Sequence, residues 1–491
     1  MFVKYFPIIG WIKHYTYDDF ANDTVAAIVV TIMLIPQSLA YALLAGLPPE
    51  IGLYASIIPL VLYSIFGTSK TLAVGPVAVI ALMTFAACSK FANPGTTEFV
   101  SISIIIAILS GIILLVMGIL KLGFITNFLS HPVISGFITA SGLIIAASQL
   151  KHIFGINGNG SNLVEILTNL FKNISDISVV TFFIGSVSLL ILYWTKKSFK
   201  AFLINLKMSE FFSALISRTG PVIAVIITTS FVWFFGLGEN NVSIVGSIPK
   251  GLPVIKFPEI TLDIFLELFI PAMLISIVGY VETVSIAQTL AAKRREKIDH
   301  NQELIALGFS NFGSGLSGGL PVTGGFARSV VNFDAGAKTP AAGALTAIGI
   351  AFSTLFLTPL LFYLPKATLA ATIMIAVLSL VDFRSIIKVF SYSSADGLAM
   401  VSTIVTTLCF GVEIGIVSGV VLSLLMFLYR TSRPHIAKVG QVPGTEHFRN
   451  VNRHIVISSK RVVCLRIDES LYFPNARFLE DSIYESVTNN K

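Results

Sequence analysis

Apolar runs, each long enough to cross a bilayer as a helix of about 20 residues, recur in this chain from Ala21 to Tyr429, with only short polar loops between them. Charged residues make up 12% of the 491, about half of the roughly 25% found in a soluble domain. The chain therefore reads as an all-α polytopic membrane protein that meets the lipid bilayer along most of its length. Its net charge of +7 sits in loops and tail, so it reads as membrane topology and not as nucleic-acid binding. Cys88, Cys409 and Cys464 stand in unrelated settings, so neither a disulfide framework nor a metal site is expected, and no cofactor is implied. The N-terminal residues lack a signal-peptide layout, so the first span is expected to act as an uncleaved signal.

The hydropathy pattern predicts fourteen spans. Spans one and two fall at Thr24–Leu44 and Ile51–Phe66. Span three is broken by Gly75-Pro76, with its helix starting at Pro76, where proline suits the first helical position. Spans four to nine fall at Phe99–Leu120, Pro132–Leu150, Val179–Trp194, Pro221–Leu237, Leu268–Ala291 and Glu303–Ser317. Span ten is the stretch Gly318 to Asn332, and spans eleven to fourteen fall at Pro340–Thr358, Ala367–Val381, Ala395–Phe410 and Val412–Tyr429. An even count puts both termini on one side. Loops on that side carry Lys70, Lys121, the Lys196 to Arg218 group, Lys293 to Lys297, Lys338, Arg384 and Lys388, whereas the other side carries scattered lysines and no arginine. The asymmetry places both termini in the cytoplasm of a plasma (inner) membrane protein.

Span ten is the most informative. Gly318, Gly319, Pro321, Gly324 and Gly325 forbid a continuous helix, so one can begin only after Gly325. Unwound backbone cannot face lipid; it is buried in protein or lines a watery cavity. A helix start offers unpaired N–H groups and partial positive charge, which attract anions. Arg328 falls in that first turn and adds a fork of donors suited to oxyanions. A charge at this depth costs at least ~3 kcal/mol, which favours a functional arginine over one that snorkels or pairs with a structural carboxylate. Broken spans three and ten hold matching places in two seven-span halves. An odd number per half forces opposite orientations, so the chain reads as a 7+7 inverted repeat with its site at the paired breaks.

The character changes after Tyr429. The expected domain map is a cytoplasmic N-terminal segment (1–23), a transmembrane domain (24–430), a basic linker (431–446) and the start of an α/β module (447–491). Strands are expected at His454–Ser458 and Val462–Ile467, and a helix at Asn475–Ser486.

Several blocks resemble the sulfate permease (SulP) family, relatives of prestin and pendrin. They are Ile35 to Ala42, Ala45 to Pro49 with Gly52-Leu53-Tyr54, Gly67-Thr68-Ser69 with Val74-Gly75-Pro76, Asn301 to Gly308, and Pro321 to Ser329 with Gly336 to Thr339. The resemblance covers nearly the whole chain. It implies a mobile core of spans one to four and eight to eleven, and a gate of spans five to seven and twelve to fourteen. It implies a homodimer, and a C-terminal STAS segment, carried by Leu471 to Ala476, that stops before the domain is complete. Gln37 and Tyr41, one turn apart on span one, would line the anion site, with Val77, Phe326, Ala327 and Arg328. Ala327 stands where many sulfate-transporting relatives have Ser. Glu282, the second charge within the membrane, would pair with Arg328 and couple an ion, as an acidic residue does in proton-coupled relatives.

The implied function is secondary active uptake of a small inorganic oxyanion, sulfate with a proton. The alternatives are sodium-coupled bicarbonate transport, with Thr283, Ser285 and Ser276 beside Glu282, and exchange of chloride, bicarbonate or dicarboxylate. A non-transporting anion-binding module is a further class. His131 reads as an interfacial residue. No nucleophile–base pair lies in the spans, so the chain does not read as an enzyme.

Overall fold

The computed structural model describes residues 5–127, 130–156, 158, 160, 162–239, 242–249, 251–253, 255, 262–459 and 461–488. It follows the expected order of fourteen segments. Segment 1 is Tyr17–Leu44, opened by a capping box between Thr16 and Asp19. Segment 2 comes in two pieces, Pro49–Tyr54 and Ile58–Phe66, because Pro59 has no N–H for the Ala55 carbonyl. Segments 4 to 7 are Thr97–Ile119, His131–Phe154, Val179–Lys197 and Gly220–Phe234; segments 8 and 9 are Leu262–Arg294 and His300–Leu316. Segments 11 to 14 are Ala341–Phe356, Lys366–Leu378, Ser394–Phe410 and Val412–Ser432.

Segments 3 and 10 are half strand and half helix. Strand β1 (Val74–Gly75) pairs antiparallel with β2 (Thr323–Gly324), Val74 opposite Gly324 and Gly75 opposite Thr323. Each strand runs into a short helix, Ala78–Cys88 in segment 3 and Phe326–Asp334 in segment 10. The helix of segment 3 therefore starts two residues later than Pro76. Pro76 stays in the extended connection, where its carbonyl accepts a hydrogen bond from another segment.

Packing divides the bundle as the inverted repeat requires. In the core, segment 9 packs on segments 4 and 2, segment 11 on segments 1 and 2, and segment 8 on segment 4. In the gate, segment 13 packs on segments 14 and 5, segment 12 on segments 5 and 6, and segment 6 on segment 7. Glycines let core helices touch: a Cβ on Gly111 would lie 2.5 Å from the Phe312 backbone nitrogen, and one on Gly308 2.8 Å from a Leu115 side-chain carbon.

Two buried carboxylates fasten the connections of the broken segments. Glu303, fully buried in segment 9, accepts from Tyr63 Oη (2.7 Å), Thr68 N (2.8 Å), Thr68 Oγ1 (2.5 Å) and Ser69 N (3.1 Å). It fixes the turn that leads into β1. Asp23, fully buried in segment 1, accepts from Lys338 N (2.6 Å), Thr339 N (3.1 Å) and Thr339 Oγ1 (2.6 Å). It fixes the turn that follows segment 10.

Two ion pairs cross between core and gate. Arg218, ahead of segment 7, pairs with Asp334 at the end of segment 10. Lys90, after segment 3, meets Glu413 at the start of segment 14 at 2.5 Å. By segment parity the first pair lies on the face of the termini and the second on the opposite face.

In the tail, β3 (Ile436–Gln441) falls among residues expected to be linker, and pairs antiparallel with β4 (Phe448–Asn450) and β5 (Leu465–Ile467). Its alternation buries Ala437 and Val439. Of the expected strand His454–Ser458 only an isolated bridge, Ile457 to Gln441, forms. The last helix is Phe473–Thr488. Hydrogen bonds from Arg466 and from His435 hold the Asp468 carboxyl below its usual range.

Candidate anion site

The helices of segments 3 and 10 both start without a capping side chain, although Thr96, Asp299 and Asp382 cap other helices. Each leaves the N–H groups of its first turn without intrahelical partners. Because β1 and β2 run antiparallel, the two helices depart in opposite directions from one crossing. Two positive dipole ends are thus kept free at the same place.

Side-chain hydrogen bonds hold that crossing rigid. Asn311 Nδ2 donates to Val322 O (2.9 Å) and its Oδ1 accepts from Val322 N (2.9 Å). Ser314 Oγ donates to Leu320 O at 2.6 Å. Thr283 Oγ1 accepts from Gly324 N (3.0 Å) and shares a proton contact with Thr323 Oγ1 (2.6 Å). Ser329 Oγ accepts from Ala73 N (2.9 Å), and Asn332 Nδ2 donates to Thr71 O (3.0 Å). Of the side chains that make these bonds, the sequence offers only Thr283 as a candidate for a site; Thr323, Ser329 and Asn332 fall within span ten without a role, and Asn311 and Ser314 stand in span nine. Their signal was only the density of small polar residues in an apolar stretch.

Arg328 is 2% exposed and occupies the first turn of the segment 10 helix. Its Nη1 donates to the Pro76 carbonyl at 2.5 Å. Its Nε and Nη2 are buried with no hydrogen-bond partner among the described residues. A Cβ on Gly325 would lie 2.7 Å from the guanidinium, so that position must be bare for the arginine to lie where it does, and one on Gly75 would crowd Nη2 at 3.3 Å. The result is a full positive charge between two helix starts, with donors left over.

The residues named from sequence gather here unevenly. Gln37 (3% exposed) and Tyr41 (8% exposed) are buried on one face of segment 1, and Tyr41 lies within electrostatic reach of Arg328. Val77 is buried as the residue preceding the segment 3 helix. Phe326 (45% exposed) and Ala327 are open to the surface while Arg328 beside them is closed off, so the helix start has one open flank.

Glu282 differs from expectation. It feels the charge of Arg328 but forms no ion pair with it among the described residues. Its side chain instead lines a small apolar crevice with Val79, Phe137, Ile138, Val281 and Ile416. That crevice joins core segments 3 and 8 to gate segments 5 and 14. The reason is helix phase: residues one position apart point about 100° apart, and Thr283, not Glu282, takes the face toward β2. The hydroxyls named for a sodium ion do not converge. Thr283 is held by Gly324 and Thr323, Ser276 Oγ donates to Ala272 O (2.7 Å) and lies 2.8 Å from Ser110 Oγ, and Ser285 is exposed. His131 is exposed at the start of segment 5.

Comparison with known proteins matches the fold and identifies the family. The model of the sulfate permease family matches residues 20–403. Sulfate transporter 4.1, chloroplastic, of Arabidopsis thaliana is 38% identical over 483 residues, covering 98% of this chain and 69% of that one. Sulfate transporter 1.1 of the same plant is 33% identical, covering 97% of this chain and 73% of that one. Among solved structures, the murine solute carrier 26 family member A9 anion transporter in its inward-facing state aligns with a TM-score of 0.85 at 25% identity, over 98% of this chain and 80% of that one. The transmembrane domain of a cyanobacterium bicarbonate transporter aligns with a TM-score of 0.70 at 21% identity, over 82% of this chain and 98% of that one.

Proposed function

Because this chain belongs to the sulfate permease family, whose members are transporters and not enzymes, we propose that it is a secondary active transporter that takes up sulfate together with a proton. The observation that carries the reading is Arg328, buried between two uncapped helix starts with Nε and Nη2 unpartnered. A tetrahedral oxyanion has the charge and the acceptors to use these donors. Gln37 supplies a neutral amide and Tyr41 a hydroxyl on the facing helix. At Ala327 the backbone N–H acts without a hydroxyl beside it. Sulfate is favoured over other oxyanions because the relatives named above are sulfate transporters along nearly the full length of this chain. We place the protein in the plasma (inner) membrane with both termini cytoplasmic, as a homodimer. Mass photometry in mild detergent that gave monomers alone would remove the dimer from the reading.

The core carries the anion past the gate. Sulfate bears two negative charges, and an interior at about −100 mV opposes each by ~2.3 kcal/mol, so uptake requires a driving ion. Glu282 has the position to supply that coupling. Ionised, it puts a charge in the apolar seam between core and gate, where a charge without a partner is costly. Protonated, it is neutral there, and the seam is free to slide while Arg328 holds the anion. In the empty carrier the ionised carboxylate and Arg328, both on the core, attract one another through the intervening space, and the charge left facing the apolar gate surface opposes sliding of the seam.

Glu282→Gln, which mimics the protonated state, is expected to keep sulfate exchange and to lose acceleration by an inward proton gradient. Labelled sulfate flux into proteoliposomes, with and without an imposed pH step, measures both. Full pH-driven uptake by the variant would rule out this residue as the coupling group. Competition by unlabelled bicarbonate, chloride and dicarboxylates in the same vesicles tests the choice of anion.

A further inference from the structure

A second basic cluster lies outside the Arg328 site. A cavity of about 440 Å³ opens on the face opposite the termini, bordered by connections that follow odd-numbered segments, among them Gly46–Pro48 and Pro94–Gly95. Its inner wall includes Leu44 and Leu82. Leu44 is one turn beyond Tyr41 on segment 1, and Leu82 one turn beyond Ala78 on segment 3. The cavity therefore continues the helix faces that form the anion site.

Its sides carry Gln149, Lys151 and His152 from the end of segment 5 and Lys366 from the start of segment 12. Among the described residues no acidic side chain lines it, and Lys366 enters no ion pair. Lys151, His152 and Lys366 are all partly buried, and the charges of both lysines reach the His152 ring. Basic side chains that line a cleft with low-dielectric walls focus a positive field into it, which draws an anion in.

We propose that this vestibule is a capture site for the transported anion, in which Lys151 and Lys366 hold a tetrahedral dianion and Gln149 adds a neutral donor before the anion moves inward to Arg328. The proposal rests on the transport reading above. It assigns to the gate a part in recognition, since both lysines stand on gate segments while Arg328 stands on the core. Capture on one domain and commitment on the other then follow in sequence.

The test is sulfate uptake by intact cells lacking their own sulfate uptake, which present only the outer face, with the amount of protein at the surface quantified. Lys151→Gln/Lys366→Gln is expected to raise KM roughly fivefold to tenfold at low ionic strength, with the maximal rate per molecule within about twofold of wild type. The difference should close as salt approaches ~0.5 M, where screening acts over a few ångströms. The double Lys→Arg variant should keep the wild-type KM. If the double Gln variant reaches the surface poorly, the two single variants decide, each expected to give about half the logarithmic effect. An unchanged KM at low salt overturns the capture site, provided that wild-type uptake depends on Arg328. Absence of any Arg328-dependent uptake overturns the transport reading itself, so the two failures are distinct.

Discussion

Vesicles reconstituted with Arg328→Gln are expected to take up no more sulfate than empty ones. The guanidinium contributes a full charge and at least two unpartnered donors, Nε and Nη2. Charge-assisted hydrogen bonds of this kind are worth ~1.5–3 kcal/mol each, so losing two weakens anion binding by roughly a hundredfold or more. Arg328→Lys keeps a point charge without the planar fork and should fall between. Binding can be read separately from flux. Sulfate should raise the melting temperature of the wild type in detergent, because a ligand of the native state stabilises it by mass action, and should leave that of Arg328→Gln unmoved. The variant is expected to melt no lower than the anion-free wild type, since it no longer buries an unpaired cation. Saturable uptake by Arg328→Gln at the wild-type rate would sink the assignment of the site.

A comparably large effect, on stability instead of binding, is expected at Glu303. Four donors converge on its carboxylate, two of them backbone N–H groups of the turn into β1. Glu303→Ala strands those donors in a buried position at ~1–3 kcal/mol apiece; with partial rearrangement a net loss of about 3–5 kcal/mol is expected. Glu303→Gln should cost far less. Oε1 takes three of the four hydrogen bonds, so an amide oxygen can replace it, and the Tyr63 hydroxyl can turn to accept from the amide NH₂. Thermal unfolding of the detergent-purified variants would show a clear fall for Ala and a small one for Gln. Equal melting temperatures for wild type and Glu303→Ala would mean that the turn is held by something else.

The difference between these two residues also shows how far the sequence was legible. Arg328 could be found because local chemistry announces it: glycines and proline forbid a helix, the helix must begin after Gly325, and a charge at that depth needs a reason. The broken segments, the fourteen-span order and the matched halves follow from the same local logic. Glu303 and Asp23 lie at helix ends where carboxylates are unremarkable, and only folding brings Thr68 to one and Thr339 to the other. The Pro76 carbonyl was invisible for the same reason. Glu282 shows a subtler limit. Its depth was legible, but its direction depends on helix phase, and one residue decides between facing Arg328 and facing the seam. In the tail, β3 holds Lys438, Gly440 and Gln441 within six residues and is flanked by Pro434 and Pro443, which imitates a linker until its partners are in place.

The two ion pairs that bridge core and gate, Arg218 with Asp334 on one face and Lys90 with Glu413 on the other, bear on how the resting position is chosen. A displacement of the core by several ångströms separates both. Exposed pairs of this kind contribute ~0–1 kcal/mol each, close to thermal energy, so they act as shallow detents and not as locks. Each is bathed by a different compartment, and each weakens as the salt on its own side rises. On the proposed motion of core against gate, the occupancy of the closed position would be sensitive to the ionic strength of two solutions at once, and the transporter would register the total electrolyte on either side of its membrane.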